Sequence, residues 1–339
     1  MKDITPPIPE IRPFHHVPGR SYRADEEARI DIAWAYYNQR FALAEDRNIL
    51  EKLIKTIGWQ NDLAPRQWAQ WYAVVLEYKP EIIVELGRGF GNSTALFCQA
   101  LHRLGTGKIV SFCLSKQWET HSRPKLEEWV APDWFKRLDA RRENLLKVDF
   151  PRVFEERKRV LVLWDAHGFE VAEVVLGIIL PLLLNTEHLI LIHDISDNRY
   201  NPTVPRSYEE NPFWKGSLWQ ERTKQWDSRV NIGWMNSIQD QVIALADFLS
   251  RNDLELGSSD QEYHTFFARY PERKREVVDL IGQDMFSLIG DWAFLTLNGK
   301  QGPFYFPPRP SRETLAQTDT FNFRARLKRG LMRLIESGL

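Results

Sequence analysis

The sequence predicts an α/β protein with a doubly wound, mostly parallel sheet covered by helices on both faces, and three observations carry that prediction. From Pro80 onward, short β-branched apolar runs alternate with segments of helical period. Four of those runs, EIIVEL (81–86), KIVSFCL (108–114), RVLVLW (159–164) and HLILIHDI (188–195), are too uniformly apolar for a sheet with one solvated face. The first run ends in closely spaced glycines that open a helix, which is where ligand crevices form in such folds.

The elements follow in order. Residues 1–24, with prolines at 6, 7, 9, 13 and 18, read as an extended arm. Residues 25–78 read as a helical N-terminal layer, because ARIDIAWAYYNQRF and RNILEKLIKTIGW space their apolar residues three and four apart. PRQWAQWYAVVLEY starts with Pro65, which a first helical turn accepts. The sheet domain spans 79–300, with helices at NSTALFCQALHRL (92–104) and VAEVVLGIILPLLL (171–184), the latter apolar all round and so expected to be buried. Residues 196–236 lack periodicity and contain Trp214, Trp219, Trp226 and Trp234; so long an insertion is expected to cover the crevice or to form a satellite core. SIQDQVIALADFLSRN (237–252) resumes as an amphipathic helix. LELGSS and WAFLTLN (292–298) are read as the last strands, with a helix at PERKREVVDLIG between them. A Pro-rich connector and the basic helix FRARLKRGLMRLIESGL fill 301–339.

Composition excludes several classes. The 339 residues carry 45 Lys+Arg against 46 Asp+Glu, a net charge of −1 that suits no dedicated nucleic-acid binder. No apolar run is long enough to span a bilayer, and MKDITPPIPEIRPFHH lacks an apolar h-region, so a cytoplasmic protein is expected. Cys98 and Cys113 lie in apolar surroundings and are expected to be reduced core residues. His15 and His16 have no other ligand types beside them and receive no role. The arm and the tail leave a homo-oligomer open.

In VELGRGFGNSTALF, Glu85 stands at a strand end and Gly87, Gly89 and Gly91 follow, with Asn92 and Ser93 opening the helix. Glycines there allow a sharp turn and close ligand approach, and the first helical turn offers free N–H groups. The spacing is neither the G-x-G-x-x-G of dinucleotide binders nor a G-x-x-x-x-G-K-[ST] phosphate loop. It resembles the E/D-x-G-x-G-x-G motif of class I S-adenosylmethionine-dependent methyltransferases. That resemblance implies a Rossmann-like methyltransferase fold with a seven-stranded, mostly parallel sheet. It also implies that Gly87, Gly89 and Gly91 wrap the amino-acid part of S-adenosylmethionine, with Glu85 positioning that end. The family's ribose-binding acid at the end of the second strand has no counterpart, since Cys113 and Leu114 stand there; Ser115 or a backbone group is the expected substitute. Glu143 and Asn144 fall where the family often reads the adenine.

WDAHG and IHDISDN place Asp165 and Asp194 at strand ends, on the same edge as Glu85. Two carboxylates meeting there repel unless a hard divalent cation joins them, with Asp197 completing the set; structural acids and helix caps are the alternative. D-x-H, then an apolar helix with L-P-L-L, then a strand closing on H-D, resembles small-molecule O-methyltransferases of the macrocin O-methyltransferase and cephalosporin-hydroxylase-like group. The resemblance covers residues 65–200. It implies Mg²⁺ on Asp165 and Asp194, while the third metal position falls on Ile195. His167 stands where related enzymes place a general base, the alternative being a strand-end histidine bonded to backbone. His193 is read as a satisfied core residue. The expected function is methyl transfer to a hydroxyl of a small molecule, a sugar or natural product. The alternatives are other chemistry on the same fold or a non-catalytic binding role.

Overall fold

The computed structural model describes residues 31–58, 63–194, 241–242, 244–254, 256–297, 299 and 302–307. The N-terminal arm, the Trp-rich insertion, Asp197 and the basic C-terminal helix fall outside the described residues.

Three helices form the expected N-terminal layer: α1 (Ile32–Asn38), α2 (Arg40–Ile57) and α3 (Pro65–Tyr78). Asp31 starts the first by accepting hydrogen bonds from the N–H groups of Ala33 and Trp34. α2 buries Leu43, Leu50, Leu53 and Ile57, which fall on one face at helical spacing. α3 starts at Pro65, and the Gln67 side-chain oxygen accepts the Ala64 N–H in front of it. This helix is buried nearly all round, with Trp68 and Trp71 fully enclosed.

The sheet has seven strands: β1 (Ile82–Leu86), β2 (Lys108–Phe112), β3 (Leu138–Arg141), β4 (Arg159–Trp164), β5 (Glu187–His193), β6 (Gly257–Ser258) and β7 (Trp292–Leu295). Their order is β3-β2-β1-β4-β5-β7-β6, parallel through β1–β5, with β7 antiparallel to β5 and β6. This is the doubly wound, Rossmann-like α/β architecture that the sequence predicts. The order reverses between β1 and β4, the switch point at which a crevice opens beyond the carboxyl ends of the strands. Register brings those ends level: Leu86 pairs with both Phe112 and Trp164, and Trp164 with Ile192.

Alternation along the strands builds two cores. Ile83, Leu161, Leu163, Leu189 and Leu191 face a core shared with the N-terminal layer and α4 (Asn92–Leu104). Val84, Leu86, Val160, Val162, Ile190 and Ile192 face a second core shared with the apolar segment after β4. That segment runs as Phe169–Val174, a π-helical stretch Val175–Ile179, and Leu180–Leu183, with none of its residues from 171 to 184 exposed. Pro181 cannot donate the N–H that an α-helix would direct at Gly177, and the wider π turn lies immediately before it.

Three sequence expectations need correction. β3 was not among the predicted strands: LDAR carries charge at Asp139 and Arg141 and lies half-buried at the sheet edge, so it has none of the apolar character of its neighbours. Before the expected helix Pro271–Ile281 there is a further one, Ser259–Arg269, started by Ser258, whose hydroxyl accepts the Gln261 N–H. Its Phe266 and Tyr263 rings pack edge-on or tilted against Trp34 and Tyr36 of α1. Cys113 is half-buried rather than a core residue, while Cys98 is buried as expected; both are free thiols. Among the described residues no helix is long and apolar enough to cross a membrane.

Candidate active site

The loop after β1 holds three glycines at positive φ, and each meets different surroundings. A Cβ on Gly87 (φ +99°) would lie 2.6 Å from the Asp165 carbonyl oxygen, so this glycine lets the β1 and β4 loops touch. On Gly91 (φ +88°) it would overlap the Trp118 ring. Only Gly89 (φ +51°) faces open space, with no atom within 4 Å of a Cβ there. Of the three, Gly89 thus has the most open space beside its backbone. Gly87, Gly89, Asn92 and Ser93 line a cleft of about 370 Å³, a volume in the range of small-molecule sites.

Glu85 does not line that cleft. It is completely buried and accepts hydrogen bonds from Ser93 Oγ (2.5 Å), Thr94 Oγ1 (2.6 Å) and the Ser111 hydroxyl. Burial pushes its carboxyl above the usual range, against the opposing pull of those hydroxyls and of Arg88. Glu85 thus ties the first turn of α4 to β1 and β2. Arg88, which the sequence reading passed over, donates from a fully buried guanidinium to the Ser111 carbonyl (2.8 Å), the Ser111 hydroxyl (3.0 Å) and Glu119 (2.9 Å). Its partners lie 23 and 31 residues away, and no motif announces them.

Phe112, Cys113, Leu114, Leu145, Glu143 and Asn144 form the wall beyond β2 and β3. Asn144 also caps the turn Leu145–Lys147, its side-chain oxygen accepting the Leu146 N–H. Ser115 does not line the cleft; its hydroxyl exchanges hydrogen bonds with Gln117.

Across the cleft, the ends of β4 and β5 bring together Asp165, His167 and Asp194, as the sequence predicts. One ligand atom from each lies within 4.8 Å of the others. Asp194 occupies the left-handed region (φ 61°), which Asp tolerates better than most residues. His167 Nδ1 lies 2.8 Å from Gln241 Oε1, which accepts its proton, and Nε2 lies 3.3 Å from Asp194 Oδ2. Burial alone would lower the His167 pKa, but the Asp194 hydrogen bond, the Asp165 charge and Gln241 outweigh it and hold it above 6.5. His193 is buried and hydrogen-bonded, as expected of a satisfied core residue, and one of its partners is a rim carboxylate. Its Nδ1 lies 3.0 Å from Asp165 Oδ1 and 3.5 Å from Asp194 Oδ1, and its ring meets Trp71 edge-on. Asp197, the expected third acid, lies outside the described residues.

No protein-family model and no curated protein matches the chain. Among solved structures it is similar to the SAH-bound methyltransferase PaMTH1 of Podospora anserina, at 17% identity over 70% of this chain and 94% of that one, with a TM-score of 0.38. It is also similar to the O-methyltransferase TomG of Streptomyces achromogenes in complex with SAM, at 15% identity over 54% and 73%, with a TM-score of 0.31. A third is CmcI with SAH, at 16% identity, a TM-score of 0.29 and 42% of this chain; that match spans 64% of CmcI, under two thirds of its length.

Proposed function

We propose that the chain is an S-adenosylmethionine-dependent methyltransferase acting on a hydroxyl of a small molecule, a sugar or natural product. The observation that supports this reading best is a single cleft with an open glycine loop and helix start on one wall and Asp165, His167 and Asp194 on the other. Gly89 and the first N–H groups of α4 would receive the amino-acid end of the donor. Phe112, Leu114 and Leu145 would flank its adenosine, with Glu143 and Asn144 at the base edge.

The donor set opposite suits a divalent cation. Two carboxylates converge there with an imidazole, one ligand atom from each within 4.8 Å of the others. Asp165 and Asp194 would hold Mg²⁺. When bound, such a cation lowers the pKa of an acceptor hydroxyl. His167 in its neutral form, oriented by Gln241, would take the hydroxyl proton on Nε2, a contribution of about 10² to 10⁴ in rate. The walls of the cleft would hold the acceptor oxygen in line with the sulfonium methyl.

Calorimetry of the full chain with S-adenosylmethionine, followed by transfer of labelled methyl to a panel of hydroxylated acceptors, tests this reading. Binding at micromolar donor and chelator-sensitive transfer are expected. A chain that binds no donor is a ligand-binding or differently acting protein instead.

A further inference from the structure

We propose that Gln67, on α3 of the N-terminal layer, sets the tautomer of His193 and through it the aim of Asp165, so that a helix outside the sheet helps build the cation site. The inference rests on the reading of Asp165 and Asp194 as cation ligands, and it concerns positioning residues only.

The chain of donors begins at a group that can only donate. The Ala64 backbone N–H lies 2.8 Å from Gln67 Oε1. A flipped amide would set two donors against each other there, so the side-chain oxygen faces Ala64 and the NH₂ faces the other way. That NH₂ nitrogen lies 3.3 Å from His193 Nε2. It too can only donate, which makes Nε2 the acceptor and leaves the ring proton on Nδ1. Nδ1 lies 3.0 Å from Asp165 Oδ1 and donates to it.

Three consequences follow for the rim. Asp165 Oδ1 is occupied from below, which leaves Oδ2 as the oxygen for a ligand in the cleft. The Nε2 side of the His193 ring is taken up by Gln67, so the ring presents only Nδ1 to the two acids. The ring plane is held by Trp71, whose centroid lies 5.4 Å away at 81°. Gln67 and His193 are both buried, and they are 126 residues apart in the chain. Supporting hydrogen bonds of this kind orient metal ligands, and their loss costs about 10- to 100-fold in metal affinity.

The first test needs no variant. Imidazole ¹⁵N spectra of the full chain without metal should show His193 with a pyrrole-like Nδ1 and a pyridine-like Nε2; a pyrrole-like Nε2 overturns the inference. Gln67→Glu, which demands a donor at Nε2, should convert that resonance to pyrrole-like. The second test titrates Mn²⁺ and reads the free ion by electron paramagnetic resonance. His193→Leu should weaken Mn²⁺ binding about 10-fold or more, whereas His193→Asn, which keeps a donor near the Nδ1 position, should recover most of it. Equal losses in both variants overturn the positioning role. A wild-type chain that binds S-adenosylmethionine but no Mn²⁺ overturns this inference while leaving methyl transfer standing. One that binds Mn²⁺ in the expected pattern but no S-adenosylmethionine supports it and removes the methyl-transfer reading.

Discussion

The two walls of the cleft spend their polar groups in opposite ways. Under the glycine loop, Glu85, Ser93, Thr94, Ser111 and Arg88 hydrogen-bond to one another, and the carboxylate among them never reaches the cleft. Across from them, Asp165 and Asp194 line the cleft with histidines as their described partners. A buried network of this kind holds backbone in place, because breaking one member strands the rest in a low-dielectric interior. A pair of converging acids leaves negative potential where a ligand can use it. One wall is therefore built to give shape and the other to give charge, and substitutions should separate the two.

The largest effect is expected on the charged wall. His167→Ala should lower methyl transfer by about 10² to 10⁴ while leaving donor affinity unchanged, since the ring faces Asp194 and Gln241 rather than the glycine loop. Measuring turnover, donor affinity and Mn²⁺ affinity together sharpens the contrast. If Mn²⁺ binding falls with turnover, His167 is a third ligand; if it holds, His167 is the base. A parallel loss of donor binding would mean the two walls do not act separately.

Substitution on the shaping wall should show in stability first. Glu85→Ala leaves three buried hydroxyls without their acceptor, and each unsatisfied group costs about 1–3 kcal/mol. The expected loss is about 3 kcal/mol in urea unfolding, together with weaker donor binding although Glu85 does not line the cleft. Unchanged stability would mean that the glycine loop is held by something other than this network.

How much of this could be read from the residues follows the same division. Asp165, His167 and Asp194 were legible because each follows an apolar run whose end defines the rim, and Gly87–Gly91 because spacing alone marks the turn. Arg88, Gln67 and the bond from His193 to Asp165 were not, because their partners come from distant parts of the chain and only the folded sheet unites them. Glu85 was legible in place, but periodicity cannot foresee the three hydroxyls that its buried carboxylate accepts. β3 and the helix Ser259–Arg269 escaped because one is a charged edge and the other follows directly on a strand of two residues.

The smallest expected effect lies at the other end of β5, away from either wall. His188 is buried, with Nδ1–H directed at the Thr186 carbonyl (2.8 Å) and Nε2 accepting the Leu297 N–H (3.0 Å). Both ring nitrogens are thus committed to the neutral form. Burial lowers the pKa below 6.5, with the carbonyls of Thr186 and Leu183 partly opposing it. Above pH 6.5 neither the folded nor the unfolded state binds the proton, and the stabilising contribution is fully present. As pH falls below 6.5 the unfolded chain takes up a proton that the folded chain refuses, and the contribution is lost until pH passes the folded pKa. Each unit of depression corresponds to about 1.4 kcal/mol. Urea midpoints of the wild type should therefore fall between pH 7.5 and 5.5 by more than those of His188→Gln, which has no titrating ring. Parallel falls in the two proteins would assign the acid sensitivity elsewhere, with the His167, Asp165 and Asp194 cluster next to be tested.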